Sequence, residues 1–478
     1  MRTQAYNPVL PNWEYLPDVE PRVFEGRLYL YGSHDRFGAS RFCLNSYVGW
    51  SAPVEDLGDW RFEGSILDVK SDPANADGSQ TGFAPDCVRG PDGRYYFYYC
   101  LNNTSKVSVA VSDRPAGPFV FCGYVQYPDG RALGDQDTVY AFDPGVLVAE
   151  DGRVWLYTGF GPTGEMREGL LRAGKEADGA YCLELEQDMR TVKSPAKLVA
   201  PYAGLAGGTG YEGHAFFEAS SPRQINGRYY LIYSSQINHE LCYAVSDRPD
   251  GDFCYGGTIV SIGDVGLDGN TRPVNYLGNT HGGLVRVGEQ WYIFYHRQTN
   301  WSHYCRQCCA EPVTILPDGS IPQVAVTSCG LNGGPLEARG SYSAAIACNL
   351  SSAQGAVGYS LKMIAYPGHP YFTQSGTDRE GDGDQYIAGL TDGGWCAFKY
   401  FRFDGTERQI FARTRGDGSG RLIVTLEKDG PAVAELPIYP SGAWTQCGAP
   451  LHASRGEAAL YFTYRGSGKV DFADFTIC

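Results

Sequence analysis

A chain of 478 residues has room for two or three domains, and its 13% aromatic content, with 34 Tyr and 62 Gly, fits short strands and many turns better than helices. The formal net charge of −15, with no Lys/Arg run, argues against a nucleic-acid backbone or an anionic lipid surface as partner and suits an uncharged substrate. The 15 cysteines are odd in number, lack framework spacing and sit in a chain too large to need staples, so they read as reduced and mostly buried thiols.

The chain opens with Met1-Arg2-Thr3-Gln4-Ala5-Tyr6-Asn7-Pro8, which lacks the apolar core of a signal peptide, and no later run is long and apolar enough to span a membrane. The expectation is a cytoplasmic protein. A short phrase then recurs five times, a turn glycine followed by alternating aromatic and aliphatic residues: Gly26 before Leu28-Tyr29-Leu30-Tyr31, Gly93 before Tyr95-Tyr96-Phe97-Tyr98, Gly152 before Val154-Trp155-Leu156-Tyr157, Gly227 before Tyr229-Tyr230-Leu231-Ile232-Tyr233, and Gly288 before Trp291-Tyr292-Ile293-Phe294-Tyr295. Asp-Gly or Asn-Gly between β-rich runs is a strong hairpin signal, and a spacing of roughly 60 to 75 residues predicts one propeller blade per copy. A second echo, Val111-Ser112-Asp113-Arg114-Pro115 and Val245-Ser246-Asp247-Arg248-Pro249, marks the same outer strand in two blades. Only the piece from Leu183 to Met189 carries a trace of helical periodicity. The cluster His303, Cys305, Cys308 and Cys309 lacks a second ligand pair of metal-site spacing and reads as core or surface thiols.

One more hairpin signal, Leu316-Pro317-Asp318-Gly319, precedes the flexible run Gly330-Leu331-Asn332-Gly333-Gly334-Pro335, where the domain boundary is placed. Residues 1–335 are expected to form a five-bladed β-propeller and residues 336–478 a β-sandwich, an all-β architecture.

An ionisable residue precedes each repeat glycine by about seven to nine positions: Asp18, Asp86, Asp143, Glu218 and His281. If each begins the innermost strand of its blade, all five converge on one end of the axis. There, like charges raise one another's pKa. Two carboxyls flanking an acetal suffice for glycoside hydrolysis, one protonating the leaving oxygen and one activating water or attacking. A third can hold the acid's proton at neutral pH. Asp18, Asp143 and Glu218 fit these tasks by type, whereas Asp86 and His281 fit an orienting partner or an ion ligand.

The ordered set Asn7-Pro8-Val9-Leu10-Pro11 with Asp18, Ala84-Pro85-Asp86, Phe142-Asp143-Pro144, and Glu218 nine residues before Gly227 resembles glycoside hydrolase family 43, over roughly residues 5 to 330. The resemblance implies a five-bladed propeller that inverts the anomeric centre. It makes Asp18 the general base, Glu218 the general acid and Asp143 the residue that tunes and orients the acid. His281 matches a histidine near an axial calcium, and Arg297 resembles an arginine lining the sugar site. Val19 stands where the family has Pro, and Glu20, on the same strand face as Asp18, is a rival for the base. Glu212, in Tyr211-Glu212-Gly213-His214, mimics the family's acid phrase but lies fifteen residues before Gly227 instead of nine.

Trp13, Tyr15, Phe216, Phe217 and Trp301 are the expected pocket residues, with Asp86 and Arg297 as further sugar contacts. The C-terminal region resembles carbohydrate-binding module family 6 in Asp382-Gly383-Asp384-Gln385-Tyr386, in Gly394-Trp395-Cys396 and in Val470-Asp471-Phe472. There Trp395 is either a stacking platform or a core residue. Asp471 replaces an asparagine of that module. The expected function is an inverting exo-glycosidase that releases a terminal pentose from oligosaccharides, an α-L-arabinofuranosidase first and a β-D-xylosidase second. No cofactor is needed for the chemistry. A non-catalytic sugar-binding propeller and a phosphorylase are the readings of another class.

Overall fold

The computed structural model describes residues 4–135, 138–356, 368–381 and 383–478; Asp382 of the module-like run lies outside them. Five antiparallel sheets follow one another along the first part of the chain, four of four strands and the last of three. The innermost strands are Glu20–Phe24, Gly82–Arg89, Gly145–Val148, Phe216–Ile225 and Leu284–Val287. Neighbours among them pack side by side, and a bridge from Val19 to Gly282 joins the first blade to the fifth at the axis. Each predicted turn glycine separates the first two strands of its blade. The Glu25-Gly26 and Asn226-Gly227 turns have both residues at positive φ, the conformation that favours Asn, Asp and Gly in two-residue hairpins.

The aromatic phrase is explained by where its strand lies. The second strand of each blade is covered on both faces, so its residues alternate between two hydrophobic wedges rather than between core and water. Tyr95, Phe97 and Tyr99 pack toward blade 1, while Tyr96 and Tyr98 pack toward blade 3. The interior of the propeller is thus five apolar wedges, one between each pair of neighbouring blades. The buried tyrosine hydroxyls find acceptors on adjacent blades: Tyr31 donates to Pro115 O at 2.7 Å and Tyr157 to Pro249 O at 2.6 Å. These are the prolines of the two echoed Ser-Asp-Arg-Pro phrases, so the echo is an inter-blade latch.

The ring closes through the N-terminal segment. Asn7 exchanges hydrogen bonds with Ala310, donating from Nδ2 at 2.9 Å and accepting at Oδ1 at 2.9 Å, and Val9 N–H donates to Cys308 O at 3.0 Å. The segment Asn7-Pro8-Val9-Leu10 therefore lies along the outer strand of blade 5, Ser302–Val313.

From Leu336 onward, two six-stranded sheets face each other over a core rich in phenylalanine, including Phe398, Phe401, Phe462, Phe472 and Phe475. Trp395 is half-buried on the strand face opposite Cys396 and Phe398, beside the Tyr461 ring and under the Lys428 ammonium, so it is not a core residue. Asp471 accepts from Gly389 N–H and from Arg415.

The helical trace at Leu183 to Met189 is overturned: Gly179–Leu185 is a strand, and the one α-helix among the described residues is Gly164–Arg172. Tertiary pairing with Val154–Phe160 decides the first. The helix escapes pattern reading because it buries none of its residues. All 15 cysteines are free, and Cys305, Cys308 and Cys309 are buried on the last blade. No helix among the described residues is long and apolar enough to cross a membrane.

Candidate active site

One cavity of about 590 Å³ opens at the end of the propeller axis, and all five blades line it. Asp18, Asp143, Glu218 and His281 meet there, with Arg306. The reason is their place on the inner strands. Asp18, Asp143 and His281 precede their strands by two or three residues, and Glu218 is the third residue of its own. Asp18 at φ 56° and Asp143 at φ 45° take the left-handed backbone conformation, which turns each side chain toward the cavity. Such strain persists where the surroundings fix it, and it clusters at functional sites.

Asp18 is buried, accepts a hydrogen bond at Oδ1 from Arg306 NH1 at 2.9 Å, and donates its own N–H to His296 Nδ1 at 3.3 Å. Burial alone would raise its pKa, but Arg306, with His296 and His281, outweighs it and holds the carboxyl below its ordinary range. Burial depresses both imidazoles, so Arg306 is the cation that remains at neutral pH. Glu218 is half-buried in the cavity wall and is pushed the other way, up to about 8, first by desolvation and then by the charge of Asp18, with Arg306 opposing. Asp143 also lies well above its ordinary value, through burial and the neighbouring Glu218 and Asp18; its Oδ2 accepts from Ala219 N–H at 3.2 Å, beside Glu218. His281 Nδ1 stands 3.7 Å from Asp143 Oδ2 and 4.0 Å from Asp18 Oδ1. Two carboxyls driven apart in pKa across one cavity can divide acid and base duty between them.

Glu20, two residues from Asp18, lies deeper on the axis, where Arg223 binds it at 2.7 Å and Arg22 stands at 3.9 Å. Glu212 is exposed and accepts from Gly208 N–H. Neither lines the cavity, which leaves Asp18 and Glu218 as the carboxyls placed for the two roles.

Several expected contacts are corrected. Asp86 is the fifth residue of its strand, so it sits below the cavity, fully buried and held by Arg22 at 2.7 and 2.8 Å and by Val146 N–H. Arg297 points away from the cavity and ties the propeller to the sandwich, donating to Ala347 O and Ala345 O and lying over Phe372. Trp301 packs on Tyr371 and the sandwich core, and Trp13 packs on Trp50. Tyr15 donates to Gln374, and Phe216 is fully buried between blades 3 and 4. Of the expected aromatic residues only Phe217 lines the cavity, in company with Phe42, Phe83, Phe142 and Phe160.

Arg306 is the residue that sequence reasoning missed, and a parity explains why. In the last hairpin Arg297 lies opposite Gln307, and Gln298 lies opposite Arg306. Directly opposed residues share a sheet face, so Arg297 and Arg306 face opposite ways. The register, invisible before the hairpin is paired, decides which arginine faces the cavity.

His281 is the residue expected beside a calcium ion. Calcium takes six to eight oxygens, whereas His281 offers one nitrogen, and the layer beneath is occupied by the guanidinium groups of Arg22 and Arg223. The residues present fit an ion only if most of its ligands are water.

The chain is similar to known proteins along its whole length. The family model described as glycosyl hydrolases family 43 matches residues 6–321. A protein of Thermoclostridium stercorarium named as a xylosidase/arabinosidase is 46% identical over 485 aligned residues, 100% of both chains. One of Bacteroides ovatus with the same name is 30% identical over 59% of this chain and 86% of its own length. Among solved structures, the GH43_1 enzyme from Xanthomonas citri complexed with xylose matches with a TM-score of 0.52 at 26% identity, over 70% of this chain and 96% of that one. The arabinoxylan arabinofuranohydrolase from Bacillus subtilis matches in fold over 98% and 97% of the two chains, with a TM-score of 0.52 at 20% identity. The spacing of the acids along the repeats, their meeting on the axis and a relative alike from end to end lead to one assignment: the chain belongs to glycosyl hydrolases family 43.

Proposed function

We propose that the protein is an inverting exo-glycosidase that removes a terminal pentose, α-L-arabinofuranose or β-D-xylose, from oligosaccharides. One observation carries the reading: Asp18 and Glu218 share a single cavity with their pKa values displaced in opposite directions, by charge and burial that are visible around each. Asp18, ionised at neutral pH, takes a proton from water as that water attacks the anomeric carbon. Glu218, still protonated, gives its proton to the leaving oxygen, so the glycosidic bond breaks as the new bond to oxygen forms. Asp143, held against Ala219 N–H next to Glu218, is placed to orient the acid. Arg306 fixes Asp18. A cavity at the end of the axis that draws residues from every blade supports action on a chain end. The phenylalanine-rich wall presents apolar surface to the sugar ring.

Both pentoses are retained because the full-length relative is named for both activities. Hydrolysis of paired aryl α-L-arabinofuranoside and β-D-xylopyranoside, followed by NMR of the first-formed anomer, tests the reading. Cleavage with inversion supports it, and cleavage of neither substrate overturns it. The phosphorylase reading finds little support, since the arginine in the cavity is already committed to Asp18 and Asp35. A calcium ion beside His281, with water as its main ligands, is proposed as a structural addition that plays no part in these steps. Metal analysis before and after chelation checks it.

A further inference from the structure

The connection from residue 32 to 46 in blade 1 has no regular structure, yet it forms one wall of the cavity through Phe42 and Cys43. Long irregular connections inside a compact domain need something to hold them. Part of the hold comes from within the propeller. Asp35 accepts from Cys43 N–H at 3.1 Å, and its two oxygens receive Arg306 through Nε at 2.8 Å and NH2 at 3.1 Å. The same guanidinium binds Asp18 and lies over the Phe42 ring. The loop, the arginine and the base are therefore one hydrogen-bonded unit.

The rest of the hold comes from the other domain. The sandwich sends residues 374–381 onto blade 1. Asp378 Oδ1 accepts from Phe37 N–H at 2.7 Å, and its Oδ2 accepts from Asn45 Nδ2 at 2.9 Å. That Asn45 amide also donates to Asp35 O at 2.9 Å, and its Oδ1 accepts from Arg36 Nε at 2.9 Å. Beside it, Arg379 NH1 binds Glu14 at 2.7 and 2.8 Å and spreads over Trp13 and Phe62. Gln374 takes the Tyr15 hydroxyl at 2.6 Å. One carboxylate of the sandwich thus grips the loop at two points, Phe37 and Asn45.

We propose that Asp378 is a positioning residue for hydrolysis: by fixing residues 36–46 it shapes the sugar pocket's wall and, through Asp35, sets Arg306 on Asp18. The sandwich is then part of the active-site scaffold as well as an appended module. This rests on the glycosidase reading for its kinetic consequence, but the ordering of the loop can be read without any sugar.

The test compares wild type with Asp378→Ala and Asp378→Asn in the full chain, with Arg421→Ala, at an exposed pair with Glu435 elsewhere on the sandwich, as the control. Hydrogen–deuterium exchange of the peptide covering 36–46 is measured together with melting temperature and with kcat and KM on the pentoside that wild type cleaves. For Asp378→Ala the exchange of 36–46 should rise at least several-fold, and kcat/KM should fall roughly ten- to a hundredfold at temperatures where the variant stays folded. Asp378→Asn keeps one acceptor for Phe37 N–H and should lose less. The control should match wild type in all three readouts. Unchanged exchange in 36–46 overturns the proposal whatever the sugar, as does a loss of activity that simply follows a lowered melting temperature. If wild type cleaves neither pentoside while the loop still loosens in Asp378→Ala, the positioning stands and the reading of the substrate fails.

Discussion

Two layers of charge lie on the propeller axis, one above the other, and they are built from the same strands to opposite effect. The lower layer holds Glu20 and Asp86 against Arg223 and Arg22, two carboxylates matched by two guanidinium groups, with bidentate contact between Arg22 and Asp86. Glu20 is held below its ordinary range despite its burial, because the arginines outweigh desolvation, while at Asp86 burial and the charge of Glu20 outweigh Arg22 and leave that carboxyl raised. The upper layer holds Asp18, Asp143 and Glu218 around the single guanidinium of Arg306, which Asp35 also shares. Here charge does not balance. The excess is expressed as one carboxyl held low and two pushed high. A balanced buried cluster fixes the fold at the axis, and an unbalanced one next to it stores protons for chemistry.

The comparison breaks most sharply in the upper layer. Asp18→Asn should lower kcat about a thousandfold or more on every glycoside, since no other carboxylate in the cavity is ionised to activate water. Glu218→Gln should cost as much on natural oligosaccharides but far less on aryl glycosides with good leaving groups, which need little protonation. Equal losses on both substrate types would remove Glu218 from the acid's role. In the lower layer Glu20→Gln should act on stability instead, because it leaves Arg223 buried without its partner. Breaking such a pair costs about 3–5 kcal/mol. Urea unfolding should show that loss, while the kcat of the folded enzyme stays within a few-fold of wild type. A thousandfold loss in kcat would make Glu20 the base after all.

Arg306 joins the two signs of displacement and sharpens the contrast. In Arg306→Met, Asp18 loses the cation that holds it low, and Glu218 loses the one charge that opposes its upward shift. Both limbs of the kcat/KM profile should therefore move to higher pH, the alkaline one from near 8, with a rate loss of roughly a hundredfold. A profile that falls in height without moving would mean that Arg306 only binds sugar.

The sequence carries local regularities well and register poorly. Repeated Asp-Gly and Asn-Gly turns mark five hairpins because a tight turn needs those residues wherever it occurs. The acids could be found by counting back from each turn glycine, since a hairpin of fixed length places them at one height. That count fails at Asp86: bulges and the length of Gly82–Arg89 bring it five residues into its strand and below the cavity. Arg297 and Arg306 show the same limit, as only the pairing of the last hairpin tells which arginine faces inward. Of the aromatic residues expected at the pocket Phe217 lines it, and the rest of the aromatic wall is Phe42, Phe83, Phe142 and Phe160, brought together by ring closure. The inter-domain grip of Asp378 on Phe37 and Asn45 spans more than 330 positions, and no local pattern announces it.

The smallest expected effect bears on stability, and it tests the upper layer without substrate. Glu218 binds its proton more tightly folded than unfolded, with a folded pKa of about 8 against an ordinary carboxyl value near 4.3. The folded state therefore carries an extra proton between those values. That contribution to stability is fully present below the unfolded pKa and is lost as pH rises toward 8. Glu218→Gln abolishes the titration, so its melting temperature relative to wild type should climb between pH 5 and pH 9 by a few degrees. Asp18→Asn should behave in the opposite sense. Asp18 is held low by Arg306, so its contribution exists above the ordinary carboxyl range and vanishes as pH falls through the folded pKa. Its variant should lose most at pH 7 and least in acid. Two variants at one cavity whose melting temperatures diverge from wild type in opposite directions with pH would show that the charge imbalance lies in the folded enzyme before any sugar arrives. Parallel shifts would mean that the two carboxyls titrate alike, and the division of acid from base would then have to come from the bound substrate.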